Sequence, residues 1–323
     1  MADALHFAPP RHVAPFTCCS STNAGLIANL AAHEVFTHPA VSAAMLAVDR
    51  ASFVQPHLAV FAYGDTPQPL ADGVSISAPH LHAATLQALI RPLTCPGGCR
   101  ALDLGCGSGY LAAAMAHIVH MSMTETASDG RRTIAQVWAS DYSPAVVRQA
   151  QLNCAAARPD LVAGGWLHFA SGGDGCGDGG GSGVGGGGGG GDGGPYSEEG
   201  GGALAAAAEA GEGTGEAAPG GAEQNAMHDE FDAIAVGFEV QDRRGIDGLV
   251  RRLRPGGQLV AGFGGRLVRV GRRGGDGGRR GEEKGEVDGG TSSIEPVVLC
   301  AEDDWVMTEL YDGASLSPDR MLQ

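Results

Sequence analysis

Between Ala101 and Val119 three patterns follow one another without a break: an apolar run to Leu104, the turn Gly105-Cys-Gly107-Ser-Gly109, and a helical repeat from Tyr110. A strand feeding a helix through a glycine loop must return to the sheet by a crossover, so this unit favours a parallel arrangement. The order recurs. Ala135 to Ser140 reads as strand, Ser143 to Ala157 as helix, and Trp166 to Ala170 and Phe231 to Val236 as strands. Arg243 to Leu253 has helical spacing, and Pro255-Gly256-Gly257 turns into a strand from Gln258 to Gly262. Alternating strands and helices predict an α/β fold with a doubly wound, mostly parallel sheet.

Upstream, Ser21 and Thr22 offer N-caps to a helix carrying Leu26, Ile27 and Leu30, and a second helix is expected from His38 to Asp49. Closely spaced Gly and Pro make 62–83 an irregular segment, and a further helix is predicted from Ala83 to Leu93.

The chain holds 54 glycines, and most of the excess lies in two tracts too poor in apolar residues to pack. The expected organisation is a flexible leader over 1–20, with organelle targeting as its alternative reading, then a single domain over 21–323. Disordered Gly-rich insertions are expected to interrupt that domain at 171–228 and 264–292. The arginines from Arg251 to Arg280 read as part of a solvated loop, and Glu295 to Gln323 as a segment able to complete the sheet.

A net charge of −16 opposes phosphate backbones and anionic membranes, so neither nucleic acid nor membrane is an expected partner. Eight cysteines without secreted spacing, and no apolar run of spanning length, suggest a soluble protein of the cytoplasm, and a monomer is expected. Cys95 and Cys99 lack a second pair at metal-site spacing, and no metal is expected.

The loop Asp103-Leu-Gly105-Cys-Gly107-Ser-Gly109 lacks both the Gly-x-Gly-x-x-Gly of dinucleotide sites and the Lys-Ser/Thr of a phosphate loop. Asp141 ends the next strand, where a carboxylate can accept both hydroxyls of a ribose. Tyr63-Gly-Asp65-Thr-Pro67-Gln-Pro69-Leu70 and Val74-Ser75-Ile-Ser77-Ala78-Pro79-His80-Leu-His82-Ala83 precede the loop, and Leu253-Arg-Pro255-Gly256-Gly257 follows it. Together these resemble the protein-L-isoaspartate (D-aspartate) O-methyltransferases, over roughly residues 22 to 175 and 229 to 265.

The resemblance implies a Rossmann-like class I methyltransferase fold and S-adenosyl-L-methionine as cofactor. Asp103, Gly105, Gly107, Gly109, Asp141, Asp174 and Gly175 would hold the cofactor, although Asp174 is equally readable as a solvated loop acid. The implied reaction methylates the side carboxyl of L-isoaspartyl residues in damaged proteins or peptides, which starts their repair through a succinimide. Ser77 takes the implied catalytic position, with Ser75, Ala78, Pro79, His82 and Gly237 around the substrate. The competing explanation of Ser77 is a cap on the helix expected from Ala83. After Val236-Gly237 the sequence departs from the family, with Phe238-Glu239-Val240-Gln241 in place of alanines and a proline. A carboxylate at Glu239 keeps two alternatives open: a cofactor-binding pseudoenzyme or adaptor, and a methyltransferase with a different acceptor.

Overall fold

A computed structural model describes residues 18–70, 74–126, 135–171, 230–274, 298–302 and 304–311. The chain opens with α1 (Asn23–Ala32), where the Thr22 side chain accepts a hydrogen bond from the Gly25 backbone N–H, and α2 (Pro39–Ala47), capped by His38. Two short 3₁₀ turns follow, then the hairpin strands β1 (Gln68–Pro69) and β2 (Ser75–Ile76). The segment expected to be irregular therefore contains a hairpin, and it also contains the start of a helix. The helix α3 spans Pro79–Ala88 and α4 spans Ile90–Leu93. Pro79 occupies the first turn, where its fixed φ suits a helix and its missing N–H costs nothing.

The remaining elements are β3 (Arg100–Leu104), α5 (Tyr110–Thr126), β4 (Gln136–Asp141), α6 (Pro144–Ala157), α7 (Pro159–Ala163) and β5 (Leu167–Ser171). After the first glycine tract come β6 (Phe231–Val240), α8 (Arg243–Arg251), β7 (Leu253–Phe263), β8 (Arg266–Arg272), β9 (Val298–Ala301) and β10 (Trp305–Tyr311). One eight-stranded sheet runs β5-β4-β3-β6-β7-β8-β10-β9. The pairings from β5 to β7 are parallel and those from β7 onward antiparallel. The doubly wound parallel reading holds for the five strands that build the site.

Every residue of β3 is buried, as a central strand covered on both faces requires. Ala101 joins the cluster formed by α1 to α6, whereas Leu102 and Leu104 face the cluster of Phe231, Ile246, Leu249, Leu259, Val270 and Trp305. The chain moves outward from β3 through β4 to β5 and then returns to β6 on the other side of β3. Ligand crevices of open α/β sheets form at such a switch point, beyond the carboxyl ends of the strands.

Two expectations need correction. The second insertion does not begin at 264, because Arg266–Arg272 form β8 in register with β7. Gly264 and Gly265, with φ of +59° and +71°, close a two-residue turn that only residues tolerant of positive φ can adopt in both places. The arginines disguised a strand whose Leu267, Val268 and Val270 are buried. Among the described arginines, Arg254, Arg266 and Arg272 do not lie in a solvated loop: they pair with Asp232, Glu309 and Glu230. The C-terminal segment supplies β9 and β10, as the sequence suggested.

Candidate active site

A cleft of about 240 Å³ opens at the switch point. One wall is the loop after β3, from Asp103 to Ser108; a second is β2 and α3, with Ser75, Ser77, His82 and Thr85. The end of β6 and the β7–β8 turn close the third side, with Val236 to Glu239, Gly262, Gly265 and Leu267. Ser75, Ser77, His82, Asp103, Gly105, Gly107 and Gly237, singled out in the sequence, thus converge on one cleft. Asp174 and Gly175 lie outside the described residues.

The remaining expected residues stand behind that lining. The Asp141 carboxylate accepts from the backbone N–H of Gly107 at 3.3 Å and of Ser143 at 3.3 Å, which fixes it against the loop. Ala78 and Pro79 are buried and start α3. The N-cap position is Ala78, which has no side-chain acceptor, so Ser77 is not a helix cap. Gly109 faces α6: a Cβ there would lie 2.9 Å from the Cys154 sulfur and 3.1 Å from the Ala150 methyl.

The loop is held by backbone bonds from Gly105 and Cys106 N–H to the Ser140 carbonyl, at 2.7 and 3.0 Å. Gly237 packs directly on it: a Cβ at 237 would sit 2.2 Å from the Gly105 carbonyl oxygen. Phe238 lies over the same turn, its ring 2.9 Å from where a Gly105 Cβ would be. The Glu239 carboxylate accepts from the Gly265 N–H at 2.7 Å and so joins the end of β6 to the β7–β8 turn.

Asp103 is the electrostatic centre of the loop. Burial pushes its carboxyl up to about 7; a backbone N–H at Ala112 opposes this, and the charge of Asp141 adds to it. Its Oδ2 is buried without a hydrogen-bond partner. An orphaned carboxylate oxygen of this kind is costly unless a donor arrives from outside the fold, and a cationic ligand in the cleft would supply one.

Behind the second wall, Arg50 is fully buried, its Nη1 3.4 Å from His82 Nδ1 and its guanidinium over the Tyr110 ring. A guanidinium only donates, so Nδ1 of His82 accepts and the ring proton resides on Nε2. Burial, and then the Arg50 charge, hold His82 well below the usual histidine range and keep it neutral. His80 does not line the cleft; its Nδ1 meets Asp65 Oδ1 at 2.9 Å within the protein. The sequence pattern gave no sign that Arg50 would be buried beneath the site, since an isolated charge near a helix end reads as solvated.

Among the described residues, no group of three or more His, Cys, Asp or Glu side chains is placed to hold a metal. Nor is any described helix long and apolar enough to cross a membrane.

The strand order, the glycine loop after β3 and the acid at the end of β4 define a class I methyltransferase fold. The same fold occurs in a solved Plasmodium falciparum structure assigned to the protein-L-isoaspartate O-methyltransferases, in complex with S-adenosyl-L-homocysteine. The TM-score is 0.54 at 21% identity, covering 80% of this chain and 92% of that one. The model of the protein-L-isoaspartate(D-aspartate) O-methyltransferase family matches residues 21–175. Protein-L-isoaspartate O-methyltransferase 1 of Arabidopsis thaliana is 36% identical over 159 residues, which are 46% of this chain and 63% of the relative. A Caenorhabditis elegans protein-L-isoaspartate O-methyltransferase is 43% identical over 99 residues, 31% of this chain and 41% of the relative. The chain thus spans less than two thirds of the length of these curated relatives.

Proposed function

We propose that this protein is an S-adenosyl-L-methionine-dependent carboxyl methyltransferase that acts on L-isoaspartyl residues of proteins and peptides. The observation that carries the reading is the convergence, in one cleft, of the glycine loop with Asp103 on one wall and Ser75-Ile76-Ser77 on another. Both walls lie within the family-matched segment.

The residues present fit the cofactor. Asp103 Oδ2 offers a buried acceptor to its ammonium group, the Gly105–Gly107 backbone leaves room for close approach, and Asp141, bonded to the Gly107 N–H, is assigned to the ribose hydroxyls. When bound, S-adenosyl-L-methionine supplies an electrophilic methyl group on its sulfonium. The protein then has little acid–base work to do, because the acceptor carboxylate is already ionised at neutral pH. Its task is to hold that carboxylate in line with the methyl group. Ser77 on the opposite wall donates its hydroxyl to the acceptor, and His82, neutral with its proton on Nε2, adds a second donor without adding a charge that would pair with the nucleophile. Phe238, resting on Gly105, lines that end of the cleft with an apolar ring.

The reading further takes residues 21–323 as one domain, monomeric and cytoplasmic. The common eight-stranded sheet supports the first point, and the net charge of −16 supports the absence of nucleic-acid and membrane partners.

The test is transfer of labelled methyl from S-adenosyl-L-methionine to a peptide with one L-isoaspartyl residue, beside its normal aspartyl twin. Selective, base-labile labelling is expected. No labelling despite cofactor binding would refute the isoaspartyl reading and turn the search to a different acceptor.

A further inference from the structure

Among the described residues lining the cleft there is no lysine or arginine, and two carboxylates are present. Asp103 is buried at the floor, whereas Glu239 is exposed at the mouth. The position of Glu239 is fixed: its backbone is in register with Gly262, and its Oε1 is held by the Gly265 N–H at 2.7 Å. One hydrogen bond to a backbone amide leaves the negative charge in place and most of the oxygen lone pairs open. Phe238, 51% exposed although it packs on Gly105, lines the same cleft, so its rim carries both an apolar ring and a carboxylate. A lysine or arginine side chain matches that pairing, with its stem along the ring and its charged head at the carboxylate.

We infer that Glu239, with Phe238, selects isoaspartyl substrates that carry a lysine or arginine next to the damaged residue. The inference rests on the isoaspartyl reading above and adds sequence preference to it. A basic neighbour also offsets the repulsion between Glu239 and the acceptor carboxylate, so the same contact that selects the substrate makes an anionic nucleophile acceptable in an acidic cleft.

The experiment compares kcat/KM for three isoaspartyl peptides that differ only in the flanking residue: Lys, Gln or Glu. The wild-type protein should favour the Lys peptide over the Glu peptide by roughly tenfold, with Gln between them, and the ratio should shrink as salt is raised. Glu239→Gln keeps an acceptor for the Gly265 N–H while removing the charge, so it should bring the Lys-to-Glu ratio close to one. Glu239→Lys should invert it. Methylation of all three peptides with equal kcat/KM by the wild-type protein would overturn the inference and leave the isoaspartyl reading intact. So would a Glu239→Gln variant that binds S-adenosyl-L-methionine more weakly and slows on every peptide alike, since Glu239 would then serve the cofactor side. Methylation of none of the peptides, with the cofactor still bound, would reject the isoaspartyl reading and this inference together.

Discussion

Replacing Gly237 by alanine tests whether the end of β6 sets the shape of the cofactor loop. The added Cβ would lie 2.2 Å from the Gly105 carbonyl oxygen and 3.1 Å from its carbonyl carbon. A tolerable carbon-to-oxygen contact is about 3.3 Å, so one backbone must retreat by roughly 1 Å. Neither side yields easily. The Gly105 turn is tied to β4 through the Ser140 carbonyl, and Val236, just before Gly237, is in register with Leu104 of β3. Overpacking of this kind costs ~1–3 kcal/mol, and in a domain of about this size each kcal/mol lowers Tm by ~2–4 °C. The displaced element is the loop under the cofactor, so the affinity for S-adenosyl-L-methionine should fall by about 5- to 150-fold, the same energy expressed as an equilibrium constant. Calorimetric titration of the cofactor with the Gly237→Ala protein, alongside a thermal melt, gives both numbers. Unchanged affinity would refute the argument that β6 shapes the loop, whatever the melt shows.

Asp103 should couple cofactor binding to pH. Its folded pKa, about 7, lies above the ordinary 3.8, so in the ligand-free protein the protonated carboxyl is the stabilising form and that contribution is lost as pH rises from 3.8 through about 7. A cation bound against it favours the carboxylate. Affinity for S-adenosyl-L-methionine should therefore rise with pH below about 7, by up to ~tenfold per unit, and then level off. Titrations in buffers of different ionisation enthalpy should show proton release, and Asp103→Asn should abolish it. Ser77→Ala should cut kcat by roughly 10- to 150-fold, equivalent to a lost hydrogen bond to a charged group, with the cofactor dissociation constant unchanged. Its Tm should hold, because Ala78 and not Ser77 occupies the N-cap position. Arg50→Met removes the second cause of His82's depressed pKa, after burial, so the acid limb of the kcat profile should move to higher pH. Stability should fall by about 1–3 kcal/mol, since methionine leaves His82 Nδ1 and the Thr66 carbonyl without their donor. A profile that superimposes on the wild type would separate Arg50 from the chemistry.

The elements that sequence alone revealed are those whose signal is local. The strand, glycine loop and helix from Arg100 to Thr126, the acid closing β4, and the alternation that makes the central sheet parallel all follow from spacing, capping and turn residues. So does the helix opening at Asn23 behind its Thr22 cap. Where composition and local pattern disagreed, composition misled. The arginines and glycines of 264–274 concealed β8, because a strand needs apolar residues only where it meets the core, and its other positions can carry charge. Similarly, the prolines of 67–79 suggested an irregular segment, although one of them starts a helix.

The site divides along the same line. The sequence determined which residue types were available: a glycine loop, acids at strand ends, and a hydroxyl-rich run ahead of a helix. Tertiary structure decided which of them share a cleft, because Ser77, Asp103 and Gly237 are brought together only by pairing β6 beside β3 and by bringing the β2–α3 segment to the same cleft. It also decided their chemistry. Removal from water raises the pKa of Asp103, and the same burial places Arg50 where it fixes the proton of His82. Solvation is a property of the assembled fold and has no counterpart in the order of residues along the chain.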